Sequence, residues 1–388
     1  MSVEVVAEDT IRPSSPTPYQ LKNFKFSVFD QLSPILYTSV LFFYISSTST
    51  SSPHQLSRLN IRDNLYIDCD DSGAEFIEAK IYCPLSHILD RPCPALLLKL
   101  LPIDIESPEA STGRLLLVQA NTFGCDGLAV GVCISHKIAD TSTLSTFIKG
   151  WSTAALLGEV NAERCTTRRY VLNPTEITPL APSEAVPEPT RVEAVLGLMW
   201  RCVARASKKN DPRRRSLLSQ AVNLRVRLPE PLLETMLGNL VGVFKVEIAP
   251  WAEESKMDLK KLVSHMREAK RAYSKNFTPR LSGGGVSCMR IVEAATKYSM
   301  LINSGAVDFL SCSSWCSFGL YEAADFGWGR PAWVSFAGVE YKNVIVPVDA
   351  RDGDTLEVWM TLSQADMDAL DADEELLRFA RVNPSVSG

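Results

Sequence analysis

His136 and Asp140 are the residues whose types and spacing first suggest chemistry. They stand in VCISHKIADTSTLSTFIKGW (132–151), the histidine closing an apolar run and the aspartate four residues on. Spacing alone leaves two readings open. In one, Asp140 is the N-cap of the helix that follows and His136 is a packed histidine. In the other, the strand end holds His136 at the floor of a cleft, where its neutral imidazole removes a proton from an acceptor near neutral pH. Other chemistries lack their residues. The ten cysteines include no CxxC pair and no Cys/His cluster, so a zinc site is not expected and the thiols read as free and mostly buried. GCDG (124–127) and SGGGVS (282–287) do not resemble a nucleophile elbow, which argues against a Ser-His-Asp hydrolase. The dense basic run SKKNDPRRRS (207–216) reads as a solvated loop after a helix, and SGGGVS as a flexible connection.

The elements that must position this pair are legible as alternating strands and helices. GRLLLVQANTF and LAVGVCISH flank the Asp-Gly turn in GCDG and form a hairpin, so His136 ends a strand with apolar residues on both faces. Leu144, Phe147, Ile148 and Trp151 then follow helical spacing. TRVEAVLGLMWRCVARASKK, with Val195, Leu198, Met199 and Cys202 on one face, is a second helix, and DLKKLVSHMREAKRAYSKN a third. SQADMDALDADEELLRFA is read as a last helix, opened by Ser363 with Asp366 three residues on. The proline-rich stretch 170–190 divides the chain into residues 1–169 and 191–388, each mixing strands and helices. The class is α/β or α+β with mixed sheets.

Bulk properties set the frame. The 388 residues suit two domains, and 46% hydrophobic with 22% charged content suits a soluble globular protein. A net charge of −5 argues against a general nucleic-acid binder while leaving room for a local basic pocket. MSVEVVAEDTIRP lacks the basic start and apolar run of a secretory leader, and PILYTSVLFFYI (34–45) is too short to span a bilayer. A cytoplasmic protein is expected.

A second segment makes the histidine motif specific. YEAADFGWGRPAWVSF (321–336) carries Asp325-Phe326-Gly327-Trp328-Gly329, by itself an aromatic turn whose glycines permit close backbone approach. With His136-Lys137-Ile138-Ala139-Asp140 about half a chain upstream, it resembles the two signatures of the plant BAHD acyltransferases, closest to their vinorine synthase-like branch acting on alkaloid and terpenoid alcohols. The likeness extends over IRPSSPTP…LSPILYTSVLFFY, NLYIDCDDSGAEFIEAKI, PTRVEAVLGLMWRCVARAS, SQAVNLRVRLPEPL…GNLVGV and DEELLRFA.

The resemblance implies a chloramphenicol acetyltransferase-like fold, two similar-sized domains of mixed β-sheets flanked by helices, with the active site at their interface. It implies an acyl-CoA-dependent O-acyltransferase working through a ternary complex, with His136 as the general base and no covalent intermediate. The motif's Asp140 would point away from substrate and pair with an arginine, for which Arg225 in VNLRVR is the candidate. Ser313 and Trp315 in SCSSWCSF match the family's oxyanion and acyl-site positions. Asp325, Gly327, Trp328 and Gly329 would be structural support, with Asp325 in a charged pair and Trp328 packed. No metal and no permanently bound cofactor are implied. The partners are an acyl-CoA, acetyl-CoA being expected, and a small-molecule alcohol, and the protein would be a monomer with neither nucleic acid nor membrane as partner. An aromatic or longer acyl donor, an amine acceptor, or a truncated non-catalytic member are the alternatives. The chain departs from the family pattern in three places: two segments (46–62 and 158–168) are short, and YEAADFGWG has two alanines where one residue is usual.

Overall fold

The computed structural model describes residues 1–12, 16–17, 19, 22–45, 60–62, 66–69, 71, 73–157, 178–180, 182–208, 214–227, 238–248, 258–277, 285–338 and 342–386. The whole of segment 158–168 and most of segment 46–62 lie outside these residues. So do parts of the 170–190 stretch, the basic run and the glycine-rich SGGGVS.

Strands are numbered along the chain. The first eight are β1 (Val3–Ile11), β2 (Asn23–Lys25), β3 (Tyr37–Tyr44), β4 (Asn60–Arg62), β5 (Tyr66–Asp68), β6 (Ala74–Ile81), β7 (Leu116–Phe123) and β8 (Leu128–Ser135). The others are β9 (Arg215–Asn223), β10 (Val241–Ile248), β11 (Val307–Cys312), β12 (Trp333–Ser335), β13 (Val344–Asp349) and β14 (Leu356–Thr361). The helices that matter below are α1 (Val28–Leu32), α2 (Thr141–Leu157), α3 (Arg191–Lys208), α4 (Leu259–Phe277), α5 (Gly285–Asn303), α6 (Gln364–Asp371) and α7 (Glu374–Phe379).

A six-stranded sheet has the order β1-β6-β7-β8-β3-β12, and a five-stranded sheet the order β10-β9-β11-β13-β14. Both are mixed: β6 and β7 are parallel in the first, and β11 runs parallel to β9 and β13 in the second. A small antiparallel sheet, β2-β5-β4, completes the set. The continuous apolar run of β3 follows from its place near the middle of packed layers. Val40, Phe42 and Tyr44 enter one core with α2, α3 and the second sheet; Leu41 and Phe43 enter another with Leu97, Leu100 and Cys133. The GCDG turn closes the β7–β8 hairpin, with Phe123 N–H donating to Gly127 O at 2.8 Å and Asp126 at φ 59°.

β12 crosses the molecule. It comes from the second half of the chain yet pairs with β3, Trp333 opposite Phe43 and Ser335 opposite Leu41. Trp333, 1% exposed, stacks on Phe43 at 4.9 Å. The six-stranded sheet is therefore completed by residues far beyond 169.

Two local readings need correction, and one strand had no reading. The last helix is two helices, because Asp373 leaves the helical conformation to cap α7, accepting from Leu376 N–H at 2.9 Å, while its carboxylate meets Arg205 of α3. The acidic N-terminus forms strand β1, paired antiparallel with β6. After SGGG the chain forms the 19-residue α5, whose exposed Met289, Val292 and Met300 blur the apolar stripe that would mark it.

Candidate active site

The site begins where β8 ends. After Ser135 the chain turns tightly, Ile138 and Ala139 N–H both reaching Ser135 O, and α2 starts at Thr141. This strand–turn–helix unit puts His136 at the strand end and Asp140 at the first turn of the helix. Asp140 serves two structural purposes. Its Oδ1 accepts from Thr143 N–H at 2.9 Å, as an N-cap does. Its Oδ2 accepts from Arg225 Nη1 at 2.6 Å and from Leu240 N–H at 3.0 Å. Arg225 has no exposed surface, and its Nη2 also donates to Gly238 O at 2.8 Å and Thr143 Oγ1 at 3.2 Å. A buried ion pair survives only when its remaining donors and acceptors are met, and these are.

His136 is held separately. Its N–H donates to Leu36 O at 2.9 Å, and its Nδ1 lies 3.1 Å from Asn239 Oδ1. Asn239 Nδ2 donates to His136 O at 2.8 Å and to Asp30 Oδ1 at 3.0 Å. Two acceptors facing Nδ2 fix the carboxamide, so the atom facing the imidazole is an oxygen that can only accept. Nδ1 then carries the proton, and Nε2 keeps its lone pair. Burial depresses the His136 pKa below its ordinary 6.5, which favours the neutral ring. Gly238, at φ +99°, gives the 238–240 loop the left-handed turn it needs.

His136 lines a cleft of about 520 Å³ between the two halves. From the first half come Phe29, Leu32, Pro34 and Thr141; from the second come Asn223, Asn239, Val243, Tyr273, Ile291, Tyr298, Ser313 and Phe318. The lining is mainly apolar. Lys245, with its pKa lowered by burial, sits 3.9 Å above the Tyr298 ring, and burial pushes the Tyr298 hydroxyl up to about 12. Tyr298 Oη donates to Ser219 Oγ at 2.6 Å. Asn239, Tyr273, Tyr298 and Lys245 had no signal in the sequence, because they come from separate elements that only the fold brings to one cleft.

The other expected site residues divide. Ser313 lines the cleft, and its Oγ has no hydrogen-bond partner among the described residues. Trp315 is outside the lining; it is 5% exposed and packs edge-to-face on Phe336 at 5.0 Å. Asp325, Gly327, Trp328 and Gly329 also lie outside it. Asp325 is expected in a charged pair, but among the described residues its Oδ1 accepts from Gly327 N–H (2.9 Å) and Gly329 N–H (3.0 Å), bracing its own turn, while Arg330 pairs with Glu322. The loop's aromatics bind elements together: Phe326 meets Trp151 of α2 at 4.7 Å, and Trp328 meets Tyr44 of β3 at 5.3 Å. Ser152 Oγ and Tyr44 Oη donate to Ala323 O and Ala324 O at 2.5 and 2.7 Å, which fixes α2 from behind.

Cys202, Asp373 and Glu375 cluster closely enough to share a metal ion, but Arg201 and Arg205 pair with the two carboxylates and burial pushes the Cys202 thiol up to about 12. Such donors do not suit a cation. Among the described residues no helix is long and apolar enough to cross a membrane.

Comparison with known proteins bears on the whole chain. Residues 1–182 and 174–377 match the model of the Transferase family. The limonoid 7-O-acetyltransferase of Citrus sinensis is 31% identical over 460 aligned positions, covering 99% of each chain. That alignment is longer than the 388 residues here, so the relative carries segments this chain lacks. The crystal structure of vinorine synthase superposes with a TM-score of 0.81 at 26% identity, covering 100% of both chains. The Fusarium sporotrichioides TRI101 structure, a complex with coenzyme A and T-2, shares the fold with a TM-score of 0.64 at 16% identity, covering 92% of this chain and 99% of that one.

Proposed function

Because the chain belongs to the Transferase family of BAHD acyltransferases, we propose that it transfers an acyl group from an acyl-CoA to the hydroxyl of a plant specialised metabolite. The protein is an acyltransferase of alkaloid or terpenoid type; acetyl-CoA as donor, the cytoplasm as its location and a monomeric state are our more specific readings. The observation that carries the mechanism is the imidazole of His136 in the interdomain cleft, with Nδ1 committed to Asn239 and Nε2 left to accept a proton.

The steps follow from that lone pair. Nε2 takes the proton of the acceptor hydroxyl as its oxygen attacks the thioester carbonyl carbon. The C–O bond forms, and negative charge develops on the former carbonyl oxygen. Ser313 Oγ is our candidate donor to that oxyanion. Collapse breaks the C–S bond, and the imidazolium returns its proton to the coenzyme A sulfur, leaving ester and free thiol. The thioester is already activated, so no acyl-enzyme is needed. Asp140 keeps its carboxylate for Arg225 and the first turn of α2, and the loop 325–329 keeps α2 in place. The apolar cleft suits a bulky alcohol.

The test is acceptor-dependent release of thiol from acetyl-CoA, using a panel of alkaloid and terpenoid alcohols, with His136→Ala beside wild type. Loss of a positioned base is expected to lower the rate by roughly 10²–10⁴-fold. Equal rates in the two proteins would refute the role given to His136. A folded wild type that transfers no acetyl, longer or aromatic acyl group would favour the non-catalytic alternative.

A further inference from the structure

We propose that Asp30 is a positioning residue for the general base, acting through Asn239 to hold His136 in the tautomer that leaves Nε2 free. The inference rests on the proposed acyl transfer and deepens it.

Asp30 lies in α1, over a hundred residues before the histidine, yet it is 3% exposed and both oxygens of its carboxylate accept directed hydrogen bonds. Oδ2 accepts from Ser27 N–H at 2.8 Å and Ser27 Oγ at 2.7 Å, closing a capping box. Oδ1 accepts from Asn239 N–H at 2.7 Å and Asn239 Nδ2 at 3.0 Å. The second pair exceeds what capping α1 requires. It grips both the backbone and the side chain of the residue whose other amide atom meets the imidazole.

The chemistry of the three groups gives the relay its direction. A carboxylate can only accept, so the Asn239 side-chain atom beside it must be the NH₂. The carboxamide is planar, so its oxygen then turns to His136 Nδ1. An oxygen that can only accept requires Nδ1–H, and the neutral ring carries its lone pair on Nε2. A flipped carboxamide would present NH₂ to the imidazole, stabilise the Nε2–H tautomer and leave the cleft-lining ring without a basic Nε2. Lys137, whose Nζ donates to Gln31 O at 3.0 Å, places a cation near the Asp30 carboxylate.

Asp30→Asn tests this with almost no change of shape. One carboxamide cannot accept from both Ser27 and Asn239, so one pair of donors is left facing an NH₂. The first readout is the tautomer of His136, from ¹⁵N correlation spectra of histidine-labelled protein; the chain has four histidines, and His136→Ala assigns the resonance. Wild type is expected as Nδ1–H and Asp30→Asn as a mixture. The second is steady-state kinetics, where kcat is expected to fall on the order of 10–100-fold with KM little changed, by analogy with a wrongly held imidazole. The third is a cycle with Asn239→Ala, in which Asp30→Asn should slow the enzyme no further. An Nε2–H wild type overturns the proposal before any variant is made. So does an unchanged tautomer in a folded Asp30→Asn, or full additivity with Asn239→Ala. If wild type transfers no acyl group but the tautomer still shifts in Asp30→Asn, the acyltransferase reading falls and the relay stands.

Discussion

At the scale of residues, the site separates two tasks that a four-residue motif could have merged. His136 is held by Leu36 and Asn239, and Asp140 by Arg225, Thr143 and Leu240. The carboxylate is spent on shape and makes no hydrogen bond to the imidazole, whose basicity is set first by burial, which lowers it, against a backbone bond, the Asp140 charge and the Asn239 bond, which raise it. This has a pH consequence. The folded pKa of His136 lies below 6.5, so the neutral form persists into mildly acidic solution. We expect kcat/KM to fall with acid through an apparent pKa below 6.5, measured with the donor subsaturating. The same shift affects stability. Unfolded chains bind the proton first as pH falls, so the contribution from neutral His136 is present above about 6.5 and is lost below it. A limb centred above 6.5 would mean that another group controls the rate.

At the scale of elements, what was readable were the features with strong local signals. The Asp-Gly turn announces the β7–β8 hairpin, and Leu144, Phe147, Ile148 and Trp151 announce α2. The Asp140–Arg225 pairing came from family likeness and is present at 2.6 Å, since position within VNLRVR fixes which arginine turns inward. What was not readable depends on neighbours in space. Trp315 shares its motif with Ser313, but Phe336 claims its ring. Asp325 looks free for a cation in sequence, while the amides of Gly327 and Gly329 take it in the fold. The cleft wall between β10 and α4 shows such a dependence in a testable form. A Cβ on Gly242 would lie 2.1 Å from Tyr273 Oη and 3.0 Å from Leu224 Cδ2, so the ring has to move in the cleft it lines. Gly242→Ala should cost about 1–3 kcal/mol in urea unfolding, as overpacking does. Kinetics should show a raised KM with kcat less affected. An unchanged KM would show that substrate does not lean on Tyr273.

At the scale of the molecule, the links that join the two halves include β12 in the first sheet, Asp140 with Arg225, and Asp30 with Asn239. Each spans 85 residues of chain or more, so neither half holds all its partners by itself. We expect one cooperative urea transition, coincident by circular dichroism and tryptophan fluorescence. Trp333→Ala should lower its midpoint by an amount equivalent to about 3–5 kcal/mol, given the lost stacking on Phe43 and Trp359. Two resolved transitions in wild type would contradict this coupling. The crossing strand also bears on recombination among relatives. A chimera spliced near residue 182 would draw the sixth strand of its first sheet from the parent of its second half. The incoming aromatic would then have to fit a Phe43 it did not evolve beside. Parents of such hybrids are better matched by sheet membership than by the midpoint of the chain.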